Sequence, residues 1–137
     1  MESAKQPTRP TLDQQRARHA WQAVQRAKTC EGEHAGQVSK KFGGQAKKLP
    51  IRIMASGLGQ SLAFLAAKGD APGLIAELSD WINTRIKPAP GSQPRLLERI
   101  VQGDSDFLRR ATDEVLIYLQ WLTRFAEAEG LTEEQNL

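Results

Sequence analysis

Apolar residues recur at helical spacing along most of the chain, and no stretch alternates β-branched and polar residues over the length of a strand. Only four valines are present, and neither Asn-Gly nor Asp-Gly marks a hairpin. A first helix is expected from Thr11 to about Cys30. It opens with a cap hydroxyl three residues before Gln14 and gathers Ala17, Ala20, Trp21, Ala23, Val24 and Ala27 on one face. A connection over residues 31–34 leads into a short, weakly patterned helix that carries Val38 and Phe42 and breaks near Gly43 and Gly44. The third helix, from Pro50 to about Lys68, begins with proline at its favoured first position and carries the stripe Ile51, Met54, Leu58, Leu62 and Leu65. Ile53 and Phe64 fall on a second side of it, and Gly57 and Gly59 in its interior are expected to mark a close helix approach.

A fourth helix from about Pro72 to Ile86 is expected to bury Leu74, Leu78, Trp81 and Ile82. The proline-rich loop Lys87 to Pro94 follows, then a short fifth helix carrying Leu96, Leu97, Ile100 and Val101 and stopped by Gly103. The sixth and longest starts at a cap among Asp104, Ser105 and Asp106 and continues to about Glu129, with Gly130 as its stop. The pattern therefore predicts an all-α fold: a compact bundle of about six helices with a long C-terminal helix. Its single domain spans residues 11–130, between a flexible arm at 1–10 that holds Pro7 and Pro10 and a polar, acidic tail at 131–137.

The last helix has a wider apolar arc than one core contact requires. Leu108, Ala111, Val115, Leu119, Leu122 and Ala126 form the core stripe, while Ile117 and Trp121 sit on a flank beyond it. Either a second helix of the same chain covers that flank, or Ile117 and Trp121 meet a partner subunit.

Length and composition agree with a single soluble domain: 137 residues, of which 39% are apolar and 26% charged. No apolar run approaches the roughly 18 residues of a membrane span, and the polar N-terminus has no apolar stretch behind it. A lone cysteine, Cys30, does not suggest a disulfide framework, so a cytoplasmic location is expected. The net charge of +3 conceals an asymmetry: residues 1–60 hold 11 Lys/Arg against 4 Asp/Glu, whereas residues 61–137 hold 8 against 12. A basic half joined to an acidic half suits a polyanion on one side and self-association or another contact on the other, although a solvated surface accounts for charge alone.

Catalytic chemistry is not indicated. The nearest metal candidates are Glu31, Glu33 and His34, with His19 and Cys30 nearby, but adjacent Glu33 and His34 point apart on any regular structure. His19 itself, at the edge of a polar helix face, is expected to be solvated, and acidic neighbours such as Asp113 and Glu114 to be solvated or ion-paired. Gly57 to Ser61 lacks the preceding strand and the Gly-Lys-Ser/Thr of a phosphate loop. Neither a metal nor a cofactor is therefore expected. The basic residues carry more: Lys40 and Lys47, like Lys41 and Lys48, are seven apart, close to two helical turns, with Arg52 one turn beyond. Such a row can track a phosphate backbone, and the acid-free Gln/Arg face of the first helix, with Arg18 and Arg26, can extend it. With few aromatics among them, backbone contact without base readout is the expectation.

Three stretches add a resemblance to these readings. They are Lys47-Lys-Leu-Pro-Ile-Arg-Ile-Met-Ala-Ser-Gly-Leu-Gly-Gln-Ser-Leu-Ala-Phe-Leu65, Leu78-Ser-Asp-Trp81, and Arg110-Ala-Thr-Asp-Glu-Val-Leu-Ile-Tyr-Leu-Gln-Trp-Leu-Thr-Arg-Phe-Ala126. In content and order they resemble the small α-helical subunit of the type III-B CRISPR effector, the Cmr complex. The resemblance implies a non-enzymatic subunit in antiviral defence, stacked in more than one copy along a ribonucleoprotein filament beside the larger subunits that hold the guide RNA. It implies a basic surface along guide and target RNA, cleavage by other subunits, and self-association along the filament without membrane contact. Carried onto this chain, the RNA-facing candidates are Lys40, Lys41, Lys47, Lys48 and Arg52, with Arg18 and Arg26 beside them. A helical adaptor without nucleic-acid contact fits the same periodicity. A DNA-binding helical regulator would need a helix-turn-helix pair with readable side chains, which the sequence does not display.

Overall fold

Six helices make up the computed structural model, which describes residues 8–29 and 35–132: α1 Leu12–Lys28, α2 Ala35–Ser56, α3 Leu58–Lys68, α4 Pro72–Arg85, α5 Leu96–Gln102 and α6 Ser105–Ala128. No strand occurs among the described residues. Residues 1–7 of the expected arm, the Cys30 to His34 cluster and residues 133–137 of the expected tail lie outside them.

Local signals set most helix ends. At the start of α1 the Thr11 hydroxyl accepts from the Gln14 amide at 3.1 Å, while the Gln14 side chain accepts from the Thr11 amide at 2.8 Å, a reciprocal capping box. Asp104 caps α6 by accepting from the Phe107 amide at 2.9 Å. At the far end of α6 the Gly130 amide donates to the Glu127 carbonyl and the Leu131 amide to the Ala126 carbonyl, with Gly130 at φ 71°. These two bonds form a Schellman turn, and they fold Leu131 back into the core.

The largest departure from the sequence expectation is α2. It runs without interruption through Gly43, Gly44 and Pro50, where two shorter helices were expected, and breaks instead at Gly57. Proline has no N–H to donate to the carbonyl four residues back, here that of Ala46. The Thr123 hydroxyl of α6 donates to that carbonyl at 3.4 Å, so the freed acceptor is not left bare. Gly43 serves tertiary packing: a methyl there would collide with the Leu131 carbonyl. The true break, Gly57, has φ 83° and open space where a side chain would be. Glycine is needed there for its backbone conformation, and not for the close approach expected from the sequence.

The longer helix also changes which residues are inside. Phe42, Ala46, Leu49 and Ile53 recur on the inner face of α2 and are buried, whereas Ile51 and Met54, expected in the core stripe, are 76% and 77% exposed. Likewise Leu108 of α6 lies at the surface. The core proper joins Ala20, Ala23 and Val24 of α1, the inner face of α2, Leu58, Leu62 and Leu65 of α3, Leu74, Leu78, Trp81 and Ile82 of α4, and Val115, Tyr118, Leu119 and Leu122 of α6. Helix α6 lies against α1, α2 and α4, and α5 bridges α3 and α4.

The packing of Leu131 onto α2 makes a direct prediction. Gly43→Ala is expected to lower the unfolding free energy by about 1–3 kcal/mol in urea unfolding. Gly44→Ala, at a position with open space around it, is expected to leave stability unchanged or slightly raised.

Candidate nucleic-acid interface

Charge pairing inside the molecule decides which basic residues remain available outside it. Glu114 of α6 is 8% exposed and sits where α1, α4 and α6 meet. Arg16 of α1 forks onto its carboxylate with bonds of 2.7 and 3.0 Å, the Trp81 indole donates at 3.1 Å from α4, and Arg85 approaches to 3.5 Å. Burial pushes the Glu114 carboxyl upward, but hydrogen bonds from Arg16 and Trp81, with the charges of Arg16 and Arg85, outweigh it and hold the group below its ordinary 4.5.

One turn along α6, Tyr118 is fully buried, and burial pushes its hydroxyl well above the usual tyrosine range. Its oxygen lies 2.6 Å from Nδ1 of His19, whose Nε2 lies 2.7 Å from the Asp80 carboxylate. With Nε2–H donating to Asp80, Nδ1 is left to accept a hydrogen bond from the Tyr118 hydroxyl. The sequence expectation of a solvated His19 is thus overturned: its ring is largely covered and packs against Trp81 and Tyr118 at 5.4 and 5.3 Å. His19, Glu77 and Asp80 bring ligand-type atoms within 4.8 Å of one another. Both imidazole nitrogens have protein partners, however, and Arg26 forks onto Glu77 at 2.7 and 2.8 Å, so the group is a hydrogen-bonded cluster with a cation already in it.

These pairs divide the candidate RNA-facing residues. Arg26 is engaged with Glu77, Lys28 with Glu129 at 2.7 Å, and Arg16 with Glu114, so much of the basic charge of α1 meets the acidic half of the same chain. Arg18 is exposed and makes no ion pair among the described residues. Arg52 bonds to Gln45 and lies over the Phe64 ring at 4.7 Å, half withdrawn from solvent. Lys40, Lys41, Lys47 and Lys48 are all exposed, and the continuity of α2 places them within an arc of about 120° on one helix. Lys40, Lys47 and Lys48 form no ion pair among the described residues. Lys47 also borders a groove of about 750 Å³ between α2 and α6, together with Pro50, Trp121 and Arg124.

Trp121 and Ile117 have different surroundings. The Trp121 indole donates to Asp13 of α1 at 3.0 Å and its ring stacks on Phe125 at 5.5 Å, so α1 covers much of it within the monomer. Ile117 remains at the surface, 36% exposed. The exposed apolar residues that periodicity misplaced, Ile51 and Met54, project from the same outer side of α2 as the lysines, one to two turns beyond Lys47. Phe64 of α3 is also exposed, beneath Arg52.

Fold and surface together define a small helical protein whose acid-free second helix carries a row of lysines outward. The CRISPR-associated protein (Cas_Cmr5) family model matches residues 12–129, and the chain belongs to this family. Among solved structures it is similar to the X-ray crystal structure of a CRISPR-associated Cmr5 family protein from Thermus thermophilus. The two share 28% identity and a TM-score of 0.69 over 90% of this chain and 100% of that one. The chain is accordingly a small subunit of the Cmr complex of type III-B CRISPR defence. No helix among its described residues is long and apolar enough to cross a membrane.

The Glu114 junction can be tested by its pH dependence. A carboxyl held below its ordinary value stabilises the fold above about pH 4.5, and the contribution is lost as pH falls through the depressed value. Glu114→Ala is expected to cost about 3–5 kcal/mol near neutrality, because it strands the Arg16 guanidinium. In chemical unfolding at a series of pH values, the gap between wild type and variant should narrow below pH 4.5.

Proposed function

We propose that this subunit is a non-catalytic, repeating part of the Cmr ribonucleoprotein, acting in the cytoplasm in antiviral defence. It stacks in more than one copy along the filament and lays the lysine face of α2 against the phosphates of guide or target RNA. The observation that carries the reading is the composition and placement of α2. This helix holds Lys40, Lys41, Lys47, Lys48 and Arg52 without a single acid. Basic residues of α1 are drawn into pairs with Glu77, Glu114 and Glu129, whereas Lys40, Lys47 and Lys48 form no ion pair among the described residues. Flexible lysines on a rigid helix suit contact with phosphates, which position a strand without reading its bases. Each contact is weak, and repetition along a filament raises the effective concentration of the next.

Apolar surface supports the contact between subunits. Because many acids of the C-terminal half are consumed internally, exposed Ile51, Met54, Phe64 and Ile117 suit protein neighbours better than an acidic face does. Trp121, partly covered by α1, stands behind this surface and steadies the α1–α6 contact.

Charge reversal of Lys40, Lys47 and Lys48 to Glu, measured as target-RNA affinity of the assembled complex over a salt series, is expected to weaken binding. It should reduce the salt slope by about two, close to 0.7 for each lost phosphate contact. Affinity and slope equal to wild type would remove RNA from the role of α2 and leave the adaptor reading. Separately, Ile51→Ser with Met54→Ser is expected to impair assembly while changing monomer stability by less than about 0.5 kcal/mol, because both side chains are exposed. Size-exclusion of the reconstituted complex and thermal unfolding of the free subunit give the two readouts.

A further inference from the structure

The break at Gly57 turns α3 back so that Phe64 meets Arg52 of α2, twelve residues earlier in the chain. The guanidinium lies over the Phe64 ring, 4.7 Å from its centroid, and the ring is half exposed. Phe64 differs in this from Ile51 and Met54, which offer no flat ring. With Ser56, Gln60 and Ser61 the pair lines a surface pocket of about 260 Å³ that has no acid among its lining residues. Sites for drug-sized ligands occupy ~300–1,000 Å³, so this one suits a single planar ring system. Arg52 has no ion pair among the described residues. Its anchor is Gln45, 3% exposed, whose side-chain oxygen accepts from the guanidinium and whose amide donates to Asp70 at 3.5 Å. That anchor fixes the guanidinium while spending one of its five N–H donors. Ser56 and Gln60 are exposed at the pocket and make no side-chain hydrogen bond among the described residues. Arg52 follows Lys48 by four residues, one turn along α2, so the pocket lies at the end of the lysine row.

We propose that this pocket receives one unpaired base of the RNA whose phosphates the lysine row contacts, stacked against Arg52 and Phe64 with its polar edge toward Ser56 and Gln60. This rests on the reading of α2 as the RNA face and adds a base-holding site to it. Unpaired bases stack on aromatic rings and on guanidinium planes alike. Every base has a π-face, so such a site holds a base without choosing among them. A phosphate would use Arg52 and leave the ring idle. An aliphatic side chain would use the ring and bury the guanidinium without a partner, which is costly. A nucleobase suits both, with a flat face for stacking and acceptors for the remaining N–H groups. Few aromatics accompany the lysines in sequence, and the turn at Gly57 brings this one to them from the next helix.

The test titrates the full-length subunit at low salt with two fluorescein-labelled probes of equal length and charge, a uridine oligonucleotide and its abasic ribose-phosphate counterpart. Wild type is expected to bind the uridine probe roughly five- to tenfold more tightly, near the lower end of what one base–aromatic stack returns. Phe64→Leu, apolar at an exposed position, is expected to erase that preference with salt slope and thermal unfolding unchanged, while Phe64→Tyr retains it. Arg52→Lys keeps the charge and loses the plane, and should reduce the preference at an unchanged slope. Equal binding of the two probes by wild type, or a preference that survives Phe64→Leu, would overturn the proposal. So would a Phe64→Leu variant that binds both probes as wild type does but breaks up the reconstituted complex, which would give the ring to a protein neighbour. Absence of salt-dependent binding to either probe would instead defeat the reading of α2 as the RNA face, and the stacking site with it.

Discussion

The carboxylate of Glu114 is the point on which the rest of the arrangement depends. A charge placed 8% exposed between three helices is tolerable only when its oxygens are fully occupied, and the Arg16 fork and the Trp81 indole occupy them. Since carboxylate, fork and indole come from α6, α1 and α4, satisfying one charged group fixes the mutual position of three helices. Apolar packing alone would permit small rotations of these helices, because hydrophobic burial is not directional. The bidentate geometry is directional, and the neighbouring stack of Trp81 on Tyr118, with ring centroids 5.7 Å apart, follows from it.

That junction also explains the distribution of charge outside. Once α1 is held against α4 and α6, Arg26 falls beside Glu77 and Lys28 beside Glu129, and the two halves of the sequence cancel much of each other's charge within one molecule. Among the described residues the same pairing does not extend to Lys40, Lys47 and Lys48 on the outer face of α2, whose inner face is occupied by Phe42, Ala46, Leu49 and Ile53. Among the described residues, Lys40, Lys47 and Lys48 are therefore what remains after a subtraction carried out by the fold. A chain of net charge +3 can in this way present a locally strong basic surface.

What could be read from the sequence were features with local causes. The Thr11 capping box, the Asp104 cap, Pro72 opening α4 and the glycine stops at 103 and 130 each depend on residues within a turn of one another. Features with distant causes were not legible. Pro50 reads as a helix start unless Thr123, 73 positions away, is known to serve the carbonyl that proline leaves free. Gly43 reads as a helix breaker until Leu131 is seen resting on it. His19 reads as solvated, and Glu114 as solvated or ion-paired without a named partner, because their hydrogen-bond partners lie 33 to 99 residues away in sequence. For the candidate site, residue types and spacing were legible; the division between paired Arg26 and outward Lys40, Lys47 and Lys48 was not.

The continuity of α2 matters more for function than its length suggests. Were the helix broken at Gly43 and Gly44, the pair Lys40 and Lys41 would move independently of Lys47 and Lys48, and binding one strand through both would require ordering the segment between them. Each residue so ordered costs roughly 1–2 kcal/mol of backbone entropy, comparable to what a few exposed phosphate contacts return. Holding the seven-residue separation at about 10 Å in the free protein removes that cost for any polyanionic strand that meets both pairs. Of the residues poorly suited to a helix interior, Gly43 and Pro50 are each met from the α6 side, by Leu131 and Thr123 respectively. The rigidity of the lysine row is therefore a property of the α2–α6 contact. A substitution at Leu131 or Thr123 would reach the lysine row without altering a single charge on it.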